Sequence, residues 1–211
     1  MCNSCVARVE AEEHARKWNR YAWMFRAQDW LFDADSEDRR RLWQEAEGER
    51  VLEIGVGTGR DMDLYPDDVE VTGVDISETM LEAAGRRAAD LGRDVHLEQM
   101  DIRDLAFQDE TFDTVVSTVT LCCCPDVEEA IDEVRRVLDA DGTFAMLENV
   151  RPNARPLAKF MDLVAPISQR LGGGFFYRET PELIDRRGFT LSEREQTGPF
   201  GMQEFVVARP D

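Results

Sequence analysis

Apolar positions along this chain follow two rhythms, short unbroken runs and stretches that repeat every three to four residues. Val51, Leu52 and Ile54 make the clearest run, and it stops at Gly55, Gly57 and Gly59. A run of that length reads as a strand covered on both faces of a parallel sheet. The same signal recurs in Glu70–Asp75, His96–Met100, Thr114–Thr118 and Thr143–Val150. Helical spacing fills the gaps. One helix spans Glu78 to about Leu91, with Ser77 as its cap and Gly92 after it, and another spans Val127–Leu138 with Val134, Val137 and Leu138 toward the sheet. Asp61–Leu64 predicts a single helical turn, broken by Pro66.

The two ends of the chain read differently. Trp18, Tyr21, Ala22, Phe25 and Trp30 predict one or two amphipathic helices over residues 8–31, with a further helix at about Asp38–Ala46. After the fifth strand, Pro156 opens a helix to about Leu171, and the glycine loop Gly172–Gly174 comes next. Thr180 caps a helix with Pro181 at its first position, and Gly188 ends it. Strands at Phe189–Gln196 and Phe205–Arg209, separated by Gly198, Pro199 and Gly201, predict a closing antiparallel hairpin. The fold class is therefore α/β: a doubly wound, seven-stranded sheet, parallel except for one strand of the C-terminal hairpin. Residues 1–47 are expected to form an N-terminal helical lid, and residues 48–211 a single structural unit.

Composition narrows the setting. At 211 residues with 43% hydrophobic content, the chain can bury one core, and no window approaches the apolar length of a membrane span. No basic leader precedes an apolar run, so the expectation is a cytoplasmic protein. Forty-four acids against 25 bases give a net charge of −19, and only Lys17 and Lys159 are lysine. The acids are spread along the chain, which fits a surface adapted to concentrated salt better than one acidic face for a basic partner. Nucleic acid is excluded as a partner, because phosphate binding needs a basic footprint. Cys2 and Cys5 form a terminal Cys-x-x-Cys with no second pair, and Cys122, Cys123 and Cys124 are consecutive. No metal site is expected.

Chemistry is concentrated at the glycine turn. Glycine there permits unusual dihedrals and lets a ligand lie against bare backbone at a strand's carboxyl end. A dinucleotide turn needs its third glycine three residues after the second, where this chain has Arg60. That spacing counts against a nicotinamide-dependent oxidoreductase. Glu53 stands two residues ahead of Gly55, and the resulting E-x-G-x-G-x-G resembles the first motif of the class I S-adenosylmethionine-dependent methyltransferases. Asp75 ends the second strand, where a carboxylate can accept both hydroxyls of a ribose.

The resemblance is to the methyltransferase type 11-like group and implies a Rossmann-like fold with S-adenosylmethionine as cofactor. It implies cofactor contacts from Glu53, Gly55, Val56, Gly57, Thr58, Gly59, Asp75, Ile76 and Met80. It also implies Asp101 at the adenine amino group, Ile102 against the ring, and Thr118 and Val119 at the methionine end. The F-D-x-V-V segment at Phe112–Val116 matches the family as well. Glu133–Gly142 matches a superfamily pattern whose residues simply pack a helix on the sheet. In ubiquinone-biosynthesis-like members a Y-D-x-x-A-x-x-Y pattern closes over the cofactor. Here Trp18-Asn19-Arg20-Tyr21-Ala22-Trp23-Met24-Phe25 replaces both tyrosines, leaving Tyr21 as the candidate hydroxyl.

Val119–Cys122, Leu147–Val150 and Gly174–Glu182 resemble segments of the small thiol and phospholipid methyltransferases. The implied acceptor is small or lipid-like: a thiol, a phospholipid amine or a quinone. The apolar N-terminal anchor of that branch is missing, so bilayer contact would be peripheral, by a monomer or homodimer. Catalysis is then mainly in-line positioning in a dry cleft. Tyr21 and Glu148 are the catalytic candidates, since Asn149 cannot take a proton where relatives have histidine. His96 reads as packing inside its strand, and His14 lies in the lid. The triple cysteine reads as packing, a soft metalloid site as in arsenite methylation, or a thiol relay. A non-catalytic subunit that binds S-adenosylmethionine to regulate a partner is the remaining alternative.

Overall fold

Seven strands share one sheet: β1 (Arg50–Ile54), β2 (Glu70–Asp75), β3 (Val95–Gln99), β4 (Phe112–Thr118), β5 (Leu138–Asn149), β6 (Phe189–Thr197) and β7 (Gln203–Pro210). This computed structural model describes residues 12–20, 37–152, 159, 163 and 180–211. The strand order is β3-β2-β1-β4-β5-β7-β6. Strand β1 pairs in parallel with β2 on one side and β4 on the other. The chain steps outward from β1 to β3, then returns to place β4 on the opposite side. This reversal leaves a crevice at the carboxyl ends of β1 and β4, where open α/β sheets bind ligands. Strand β7 runs antiparallel to both β5 and β6, so one strand is reversed, as the hairpin predicts.

The described α-helices include α1 over residues 12–20, α2 (Glu37–Gln44), α3 (Glu78–Leu91), α4 (Val127–Val137) and α5 (Thr180–Arg186). Strand alternation sorts the core into two layers. Leu52, Ile54, Val115 and Phe144 point to one face, where Ala130, Ile131 and Val134 of α4 and Ile184 of α5 cover them. Val51, Val116, Ala145 and Phe205 point to the other, covered by Leu42 and Trp43 of α2 and Ala84 and Ala88 of α3. The helix α2 thus lies within the first 47 residues and yet is buried against the sheet. Residues 12–20 and 37–47 are the described part of the expected lid. Tyr21–Trp30, the glycine loop at 172–174 and all of the helix expected at 156–171 but Lys159 and Leu163, both helical, lie outside the described residues.

Three features differ from the sequence reading. Strand β5 begins at Leu138, directly on leaving α4, and not at Thr143. Leu138 pairs with Phe112 before exposed residues bulge out, and pairing resumes at Thr143 opposite Thr114. Gly142 sits at the bulge because a Cβ there would lie 2.9 Å from the Asp113 carbonyl oxygen. Strand β7 starts two residues early, at Gln203, because its pairing with Asn149 and Thr197 extends the ladder. His96 is exposed, beside Glu98 at 2.6 Å, so it does not pack. The reason is that β3 is an edge strand. The other edge, β6, carries Glu193, Arg194 and Glu195.

Arginine–acid pairs stud this surface, among them Arg187 with Glu128 and Asp132, and Arg41 with Glu193 and Glu195. Exposed pairs contribute little each, whereas the net charge of −19 repels itself at low salt. Raising sodium chloride from about 0.1 M to about 2 M is expected to raise the thermal midpoint by at least ~5 °C, read by differential scanning calorimetry. A flat or falling midpoint would remove the salt-adaptation reading.

Candidate functional site

The turn after β1 is built by two hydrogen bonds and a missing side chain. Amides of Gly55 and Val56 both donate to the Val74 carbonyl, at 2.8 and 3.0 Å, tying the turn to β2. Gly55 has φ +69°, and a Cβ there would overlap the Thr120 side chain. Gly57 has φ +57°, but a Cβ there would meet no heavy atom nearer than 3.9 Å. Steric contact thus forces the first glycine, whereas the second faces open space where a ligand can meet backbone. Val56 is buried and Gly59 packs on Met62, while Thr58 is nearly buried.

Asp75 joins the turn to the next helix. One carboxylate oxygen accepts the Gly57 amide at 2.9 Å, and the other accepts the Ser77 amide at 2.8 Å. Burial raises its pKa to about 6 against the pull of the Ser77, Gly57 and Ile76 amides. The Ile76 carbonyl accepts from Gln99, and Met80 is buried with its amide on the Ser77 hydroxyl. Glu53 lies beneath the turn, almost fully buried, and accepts a hydrogen bond from the Tyr65 hydroxyl. Burial pushes its carboxyl well above the usual range, and nearby Asp61 adds to the rise. Asp61 is itself buried, paired with Arg39, and accepts the Thr118 hydroxyl at 2.7 Å.

At the end of β3, Asp101 is already engaged. Arg103 donates to both of its oxygens at 2.7–3.2 Å and reaches Asp126 at 2.8 Å. Burial alone would raise the Asp101 carboxyl, but Arg103 outweighs it and holds it below its ordinary value. Ile102 beside it is buried. At the end of β4, Val119 holds φ +54°, a costly conformation for a β-branched residue. Its amide donates to the Leu147 carbonyl at 2.8 Å.

Glu148 organises the backbone beyond Val119. The side chain is fully buried, and its oxygens accept the amides of Thr120, Leu121 and Cys122 at 2.9–3.0 Å and the Ser117 hydroxyl at 3.0 Å. These bonds hold the 3₁₀ turn Leu121–Cys123 in place, and burial raises the carboxyl pKa. A carboxylate so occupied anchors backbone rather than meeting an acceptor. Tyr21, the other catalytic candidate, lies outside the described residues, as do Cys2 and Cys5. Cys122 and Cys124 are buried and Cys123 is half-buried. Among the described residues, no three His, Cys, Asp or Glu side chains are arranged to hold a metal.

The predicted cofactor residues therefore fall along one row, at the carboxyl ends of the four adjacent strands β3, β2, β1 and β4. Sequence reasoning misses Arg39, Asp61, Tyr65, Arg103 and Ser117. In a chain this acidic, nothing marks Asp61 among 44 acids. The Asp-x-Arg spacing of Asp101 and Arg103 is the one signal that could have found a partner.

Known proteins resemble this chain in sequence and fold. The family profile described as a methyltransferase domain matches residues 52–146. A phosphatidylethanolamine N-methyltransferase of Cereibacter sphaeroides is 36% identical over 169 residues, covering 78% of this chain and 81% of its own. A 2-phytyl-1,4-naphtoquinone methyltransferase of Trichormus variabilis is 29% identical over 178 residues, covering 75% and 76%. In fold, an S-adenosylmethionine-dependent methyltransferase of Thermotoga maritima superposes with a TM-score of 0.72 at 20% identity, covering 93% of this chain and 99% of its own.

Replacing Glu148 by alanine strands the amides of Thr120, Leu121 and Cys122, the last two buried. Glu148→Ala is expected to cost at least ~3 kcal/mol of unfolding free energy in urea titration. A cost below ~1 kcal/mol would mean that the turn does not depend on this carboxylate.

Proposed function

This chain belongs to the class I S-adenosylmethionine-dependent methyltransferases, and from that premise we propose that it methylates the amine of a phospholipid-like acceptor. It is an enzyme with S-adenosylmethionine as cofactor. The observation that carries the acceptor reading is the 36% identity with a phosphatidylethanolamine N-methyltransferase over most of both chains. Quinol methylation is the second reading, favoured by the naphtoquinone relative and by the want of a free base among the described site residues. Among the described residues no helix is long and apolar enough to cross a membrane.

The residues present fit the cofactor. In this reading the open space over Gly57 admits it against backbone, and Asp75 takes the ribose hydroxyls on lone pairs left by its two amide bonds. Ile76, Met80 and Ile102 supply apolar contact at the adenine end, where Asp101, braced by Arg103, fixes the polar edge. Thr118, Val119 and the bonded group of Glu53, Tyr65 and Asp61 form the methionine end. A cation arriving beside Glu53 would favour the ionised carboxylate that burial otherwise disfavours. Val56, Thr58, Gly55 and Gly59 shape the turn itself.

When bound, the cofactor supplies a methyl group already activated on a sulfonium, so the protein's task is to align the acceptor and exclude water. Glu148 serves by holding the Thr120–Cys122 backbone at the rim of the crevice. An amine acceptor must shed its proton before attack. With Glu148 occupied and Asn149 unable to accept a proton, that proton leaves through solvent or through Tyr21.

Two outcomes test this function. With labelled cofactor in molar salt, transfer to phosphatidylethanolamine vesicles is expected to exceed transfer to quinols or small thiols. Quinol-only transfer would replace the amine reading. For the cofactor site, Asp75 accepts ribose as a carboxylate, a form present above pH about 6 and lost as pH falls through that value. Affinity for S-adenosylmethionine, measured by calorimetry, is therefore expected to fall below pH about 6, by up to about tenfold per unit. Asp75→Asn should bind weakly at every pH and lose that inflection. Unchanged affinity in Asp75→Asn would remove the ribose assignment.

A further inference from the structure

The helix α1 reaches the cofactor row through one side chain. The Asn19 amide oxygen accepts the Ser77 hydroxyl at 2.6 Å and the Thr79 amide at 3.3 Å. Ser77 is the N-cap of α3, and its hydroxyl oxygen also accepts the Met80 amide at 3.2 Å. In the first turn of α3 the Met80 amide is thus met by its own cap residue, and the Thr79 amide by a residue 60 positions earlier. The Ser77 amide in turn donates to Asp75, whose other oxygen holds Gly57. An unbroken chain of hydrogen bonds therefore runs from the glycine turn through Asp75 and Ser77 to Asn19. One turn earlier on α1, His14 accepts the Trp18 indole at 3.0 Å and feels the charges of Asp101 and Arg103. The helix spans the ends of β2 and β3, over the acids assigned above to the nucleoside.

We propose that Asn19 is a positioning residue of the cofactor site, holding α1 on the end of β2 so that cofactor seating on Asp75 and docking of α1 strengthen each other. This rests on the assignment of Asp75 to the ribose. Removing Asn19 leaves the Ser77 hydroxyl without its acceptor and the Thr79 amide uncapped, which loosens the segment that orients Asp75. Coupling of this kind is reciprocal: the factor by which docked α1 tightens the cofactor equals the factor by which the cofactor tightens α1. Asn19 also occupies the acid position of the Y-D-x-x-A-x-x-Y pattern, so an aspartate there offers the same acceptor oxygen.

Trypsin reads the docking directly, because Arg16, Lys17 and Arg20 all lie in α1. Where opening is fast relative to cleavage, the cleavage rate tracks the undocked population. In the wild-type chain, saturating S-adenosylmethionine should slow cleavage at these three sites by roughly tenfold. Asn19→Ala should lose most of that protection and raise the calorimetric Kd for the cofactor by a similar factor. Asn19→Asp should keep both within about threefold of wild type. The proposal is overturned if Asn19→Ala binds within about twofold of wild type, if its protection persists, or if Asn19→Asp behaves like Asn19→Ala. Asp75→Asn separates the causes. If that variant loses affinity while Asn19→Ala does not, only the positioning role fails; if it binds normally, the ribose assignment fails first.

Discussion

Carboxylates buried against backbone amides are what the rest of this structure leans on. An isolated charge taken out of water is costly, and the cost is met only where hydrogen bonds replace the lost hydration. Asp75 and Glu148 meet that condition by gathering amides from segments that have no regular ladder of their own. One fixes the path from the glycine turn into α3, the other the path from β4 into the turn at Leu121–Cys123. Asp61 meets it with side chains, through Arg39 and Thr118, whereas the Tyr65 hydroxyl does not offset the burial that raises the Glu53 carboxyl. The rim of the crevice is thus irregular chain held in place by acids.

The same arrangement divides labour between acids that look alike in the sequence. Burial raises the Asp75 pKa, and its hydrogen bonds to Gly57 and Ser77 come from backbone amides and only partly offset that rise. Asp101 is lowered and gripped by a guanidinium, so it presents a fixed, paired edge. Glu148 is saturated and faces inward. Position at a strand's carboxyl end says that an acid is near the ligand; its partners say what it can do there.

That distinction marks how far the sequence can be read. Strands β1 to β4 and helices α3 and α4 are legible because apolar runs, the Ser77 cap and Gly92 agree with one another at each boundary. The row of site residues is legible too, since it needs only strand ends and their order. Partners from other parts of the chain are not. Arg39 meets Asp61 across 22 positions and Ser117 meets Glu148 across 31, with no local signal for either. Glu148 reads as a catalytic candidate from its place beside Asn149, whereas its three amide donors are visible only in three dimensions. The start of β5 is hidden for a similar reason. A bulge of exposed residues interrupts the apolar pattern that Leu138 begins.

Both rims of the sheet, β3 and β6, are edge strands, the kind of border onto which a second chain can add its own strand. Their outward positions carry His96 and Glu98 on one side and Glu193, Arg194 and Glu195 on the other. A second copy aligning in parallel register on β6 would set Glu193 and Glu195 within a strand's width of their own counterparts. Crowding at high protein concentration should therefore leave the β6 border free of such ribbon growth, even where salt has weakened repulsion between whole molecules.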